Sequence, residues 1–75
     1  MKVDIKDLET IFARGLGEKV TITIDTKRED IEQWDSINQL NLIIELEDFY
    51  KISLTRSEIE KLNSIKYLIE VIESK

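Results

Sequence analysis

Asp35-Ser36-Ile37 is the one stretch of this chain where residue type and position combine into usable chemistry. A polar loop ends there, and a strongly apolar segment, Leu40 to Phe49, begins. A hydroxyl at a helix start faces solvent. Backbone N–H groups and the positive end of the helix dipole favour a phosphate placed beside it. The chain has no His and no Cys, so the usual Ser–His activation of a nucleophile is unavailable. On these grounds Ser36 reads as a point of attachment rather than a catalyst. A local reading competes with this one. Ser36-Ile37-Asn38-Gln39 has the S-x-x-Q spacing of a capping box, in which the serine only caps the helix. On spacing alone, capping is the better reading.

The elements that must position Ser36 are short and helical. Asp4 can cap a first helix that carries Ile5, Leu8, Ile11 and Phe12 on one face. Gly15 and Gly17, the only glycines, are expected to stop it. Val20, Ile22 and Ile24 then alternate with Thr21 and Thr23 as a strand would. No second strand-like run exists to pair with them, so this part is an extended loop whose apolar residues tuck inward. Thr26 and Glu29 have capping-box spacing for a short turn around Lys27 to Ile31. Thr55-Arg56-Ser57-Glu58 repeats that spacing before Ile59 and Leu62, predicting a short third helix. Asn63 or Ser64 caps the last helix, with Ile65, Leu68, Ile69 and Ile72 as its apolar stripe. The expected fold is all-α. It is a small four-helix bundle with a long loop between helices 1 and 2 and a short helix 3, forming one domain over residues 1–75.

The second helix, from Ser36 to about Tyr50, is apolar over roughly 240° of its circumference, whereas one buried face needs little more than ~100°. Leu42, Ile43, Leu46, Phe49 and Tyr50 form the broader side, expected to be core. Ile37, Leu40 and Ile44 fall on the other side, flanked by Glu47 and Asp48. An apolar patch ringed by acids reads as a docking surface. The alternative is a central helix buried nearly all round.

Seventy-five residues with no cysteine must be stabilised by packing alone. A net charge of −5 argues against nucleic acid, which needs a basic footprint. It points instead to basic protein partners. No apolar run of about 18 residues is present, so no membrane span is expected. The charged start Met1-Lys2-Val3-Asp4 does not read as a signal peptide. A monomer in the cytoplasm is the expectation.

From Asp35 to Ile72 the sequence resembles the acyl carrier protein (ACP) family. The family's Asp-Ser-Leu stands here as Asp35-Ser36-Ile37. It is followed by apolar residues at Leu40, Leu42, Ile43, Leu46, Tyr50, Ile52 and Leu54. Glu58, Ile59, Leu62, Ile65, Ile69 and Ile72 fall where the family's third and fourth helices place theirs. Upstream, only the first helix and Leu16-Gly17 match loosely. Gln33 replaces a glycine common in the family, and Trp34 follows it. The resulting Trp-Asp-Ser is similar to a variant of carriers in specialised pathways. Asn38 and Asn41 stand where acids are usual, as does Arg56.

The resemblance implies a non-catalytic carrier bearing 4′-phosphopantetheine covalently on Ser36, whose thiol holds acyl groups as thioesters. Asp35 and Ile37 are then the expected contacts for a phosphopantetheinyl transferase. Ile37, Leu40, Ile44, Glu47 and Asp48 would meet partner enzymes such as an acyl-ACP synthetase, an acyltransferase or a synthase. Ile43, Leu46, Ile59 and Leu62 would shelter an acyl chain or serve as plain core. Two alternatives remain at this point: an aminoacyl or peptidyl carrier of the same fold, and an unmodified helical interaction module.

Overall fold

Each helix begins where a short polar side chain can accept a backbone N–H that the helix itself leaves unpaired. The computed structural model describes residues 2–75. Its helices are α1 (Ile5–Leu16), α2 (Ser36–Tyr50), α3 (Arg56–Glu60) and α4 (Ile65–Glu73). Asp4 Oδ1 accepts from Lys6 N–H at 2.8 Å to start α1. Thr55 and Glu58 close the expected reciprocal box at α3, with Thr55 N–H on Glu58 Oε1 at 2.8 Å and Glu58 N–H on Thr55 Oγ1 at 3.1 Å. Ser64, not Asn63, caps α4 by accepting from Tyr67 N–H at 3.1 Å.

The long connection is extended, as its unpaired alternation implied, and holds one 3-10 turn at Arg28–Asp30. That turn is capped one residue later than Thr26 and Glu29 suggested. Asp30 Oδ2 accepts from Lys27 N–H at 2.9 Å, while Thr26 Oγ1 closes the preceding turn on Thr23 N–H at 2.8 Å. Two backbone bonds lash this segment to the start of α4: Arg28 N–H to Asn63 O at 2.8 Å and Ile65 N–H to Thr26 O at 2.9 Å. The loop's apolar residues tuck in only partly. Ile22 is buried and Val20 half-buried, but Ile24 is exposed. Glu9 holds Ile22 in place by accepting its N–H at 3.1 Å.

Leu8, Ile11, Phe12, Leu42, Leu46, Leu62, Ile65, Leu68 and Ile72 form the fully buried centre, with Ile31 and Trp34 closing it from the loop. The two glycines do different things. Gly17 ends α1 in the left-handed region at φ 80°, its N–H returning to Ala13 O. Gly15 lies inside the helix, contrary to the expectation that both glycines stop it. A Cβ there would stand 2.8 Å from the Leu42 Cα, so the missing side chain lets α1 and α2 approach closely. Phe49 also departs from expectation. It sits on the flank of α2, 42% exposed, with its ring edge-on to Tyr50 at 4.9 Å. The Tyr50 hydroxyl is buried with no hydrogen-bond partner among the described residues. Burial, aided by the nearby Asp7 and Asp4, pushes its pKa up to about 12.

Two outcomes follow from these contacts. Gly15→Ala gains about 1 kcal/mol of helix propensity but loses roughly 1–3 kcal/mol to overpacking, because the neighbour is backbone that cannot rotate away. A lower denaturant midpoint is expected; a higher one would show that α1 and α2 separate freely. Glu58 supplies the second. The Lys75 ammonium at 2.7 Å, then the Thr55 N–H, lower its pKa below the usual glutamate value. Its contribution is therefore complete above the unfolded-state pKa and is lost as pH falls through the lower folded-state value. Thermal melts across the acid range should show a shallower decline in Glu58→Gln than in the parent, by a small margin because the pair lies near the surface.

Candidate functional site

The start of α2 is capped without using the Ser36 hydroxyl. Asp35, in extended backbone, is the cap residue, and its Oδ1 accepts from Asn38 N–H at 2.8 Å. Gln39 N–H reaches Asp35 O at 2.8 Å. Ser36 is thus the first helical residue, exposed, and outside the cap. This corrects the capping-box reading of Ser36 and Gln39. A carboxylate one residue earlier takes the N–H group with a full charge against the positive helix end, and the helix register turns the Gln39 side chain inward.

The preceding turn is equally well tied. Asn38 Nδ2 donates to Gln33 O at 2.8 Å, and Arg28 Nε donates to Trp34 O at 3.0 Å. The Trp34 indole is buried edge-on against Phe12 at 5.0 Å and 88°. Its N–H donates to Gln39 Oε1. Gln39 Nε2 in turn donates to Ile59 O at 3.2 Å and Leu62 O at 3.4 Å. Trp34, Asn38 and Gln39 were not among the expected site residues. The signal was nevertheless present, since Gln39 precedes Leu42 and Leu46 at core spacing and a buried tryptophan needs an acceptor.

Ile37, Leu40 and Ile44 are 74%, 62% and 64% exposed. Their i, i+3, i+7 spacing places them along one side of α2. Asp48 continues the same line one turn further, exposed, with Lys51 Nζ at 3.5 Å. Helix α2 is therefore not buried all round. Glu47 does not belong with this surface in the way expected. It is half-buried, and its Oε2 accepts from Leu54 N–H at 2.8 Å, so its carboxylate fastens the α2–α3 connection. Ile43, Leu46 and Leu62 are buried and Ile59 half-buried between α2 and its neighbours. No helix among the described residues is long and apolar enough to cross a membrane.

Among solved structures, the chain is similar to the solution NMR structure of a holo acyl carrier protein from Geobacter metallireducens. The two share 32% identity at a TM-score of 0.83, over 95% of this chain and 83% of the other. No family model matches the sequence. No curated protein matches it either.

The two sides of α2 should separate in stability measurements. Leu46→Ala is expected to lose roughly 2–5 kcal/mol, as for a truncated core residue. Ile44→Ala, on the exposed side, should change stability by no more than about 0.5 kcal/mol. Paired urea melts read the difference, and equal large losses would place Ile44 in the core.

Proposed function

Since the chain belongs to the acyl carrier protein family, whose members carry rather than catalyse, we propose that it holds acyl groups on a 4′-phosphopantetheine arm joined to Ser36. The observation that supports this most directly is the exposed Ser36 hydroxyl at the first position of α2, left out of a cap that Asp35 supplies. The residues present fit such a group. The first N–H groups of a fifteen-residue helix have no intrahelical acceptor, and the helix dipole favours a phosphodiester at that end. When attached, the arm supplies a terminal thiol that bears acyl groups as thioesters.

The protein's own part is to present and to be recognised. Trp34, Asn38 and Arg28 hold the turn, so the Ser36 backbone is anchored between Asp35 and Ile37, the proposed transferase contacts. Ile37, Leu40 and Ile44, with Asp48 at the end of the row, form the surface offered to an acyl-ACP synthetase, an acyltransferase or a synthase. Apolar side chains supply the contact area there. The acid governs orientation and association rate more than affinity. Tethering then raises the effective concentration of cargo at a docked enzyme. The proposal takes the protein as a monomeric, single-domain carrier acting in the cytoplasm.

Intact mass spectrometry tests the assignment. Incubation with coenzyme A and a broad-specificity phosphopantetheinyl transferase should add one phosphopantetheine to the parent and none to Ser36→Ala. Ser53, Ser57, Ser64 and Ser74 should stay unmodified. Ser36→Ala should also remain folded, within about 0.5 kcal/mol of the parent, because the cap belongs to Asp35. A mass gain that survives in Ser36→Ala would overturn the attachment site.

A further inference from the structure

Gln39 is the one buried polar side chain among the described residues of this core, and its position gives it a consequence for cargo. It follows Ser36 by three residues and therefore lies one turn below the proposed attachment point on the same helix. From there it ties three parts together: the loop through the Trp34 indole N–H, α2 through its own backbone, and the end of α3 with the turn after it through the Ile59 and Leu62 carbonyls. We propose that the Trp34–Gln39 pair is a bolt across the α2–α3 seam that keeps apolar chains out of the bundle. The cargo of this carrier is then a short or polar acyl group that stays in solvent. The inference about cargo rests on the carrier reading above; the bolt itself does not.

The physical case has two parts. Beneath the bolt the interior is already filled, with Leu42, Leu46, Leu62, Ile65 and Leu68 each buried to 2% exposure or less. An inserted chain must displace packed side chains rather than occupy free space. It must also slide between Gln39 and α3, which strips the carboxamide N–H groups of both carbonyl acceptors and lays methylene against them. A buried donor left unpaired lowers the population of such a state by roughly tenfold or more. A short acyl group brings too little apolar area to offset this, and a polar one brings less.

The absence of cysteine allows a test that needs no transferase. Ser36→Cys provides a single thiol, to be labelled with S-octyl or S-methyl methanethiosulfonate. The methyl resonances of Leu42, Leu46 and Leu62 are then compared between the two labels. With Trp34 and Gln39 intact, the octyl and methyl adducts should give coincident core signals. Adding Gln39→Leu, which keeps volume and removes the donor, should let the octyl chain shift those signals. Trp34→Phe, which keeps a ring on Phe12 but removes the indole N–H that holds Gln39 Oε1, should do the same. In Gln39→Leu the amides of Ile59, Lys61 and Leu62 should also exchange roughly tenfold faster. Octyl-dependent core shifts with both residues intact would overturn the bolt, and so would their absence in both variants. Failure of the transferase reaction would instead sink the carrier reading and leave this result standing.

Discussion

The close approach of α1 to α2 at Gly15 and Leu42 is the contact on which the other features depend. A helix as apolar as α2 has two sides that would each prefer to leave water, and something must decide which one is covered. Gly15 decides it. With no Cβ to meet the Leu42 backbone, α1 settles onto the side of α2 that carries Leu42 and Leu46. Leu8, Ile11 and Phe12 then fill the space between the helices. Once that side is taken, Ile37, Leu40 and Ile44 have no helix left to cover them.

The same choice places the proposed attachment point. Phe12, brought to α2 by this packing, meets Trp34 in a T-shaped pair. Trp34 in turn fixes the loop that delivers Asp35 to the cap. The backbone at Ser36 is therefore anchored through a loop that is part of the core, although Ser36 itself is exposed. An exposed group on a flexible turn would have to be found by its modifying enzyme in many orientations. One seated on an anchored helix end is presented in one, which lowers the entropy lost on binding.

Charge is distributed to serve local geometry before it serves partners. Asp4, Asp30, Asp35, Glu47 and Glu58 each accept a backbone N–H at a helix start or a loop junction. Five of the sixteen acidic residues thereby serve chain geometry in a protein too small to rely on a large core. Asp48 is different. Its carboxylate lies on the surface, paired at 3.5 Å with the exposed Lys51, so it remains open to a basic group in a way that Glu47 does not.

The sequence by itself determined the four helices, three of their four caps and the split of α2 into two apolar sides. These are local matters: capping spacing and 3.6-residue periodicity act within a few residues of chain. It also carried the family resemblance through Asp35-Ser36-Ile37 and the apolar register behind it. What it left open was which local option wins when two are adjacent. Ser36 and Asp35 could each cap α2, Gly15 and Gly17 could each end α1, and Phe49 sat at a boundary between faces. Only the tertiary structure decided these, because the answer depends on what stands opposite: the Leu42 backbone for Gly15, the Ile59 and Leu62 carbonyls for Gln39, the Leu54 N–H for Glu47. Those partners lie from seven to twenty-seven residues away along the chain, and no local pattern announces a hydrogen bond or a close approach that exists only after the helices have packed.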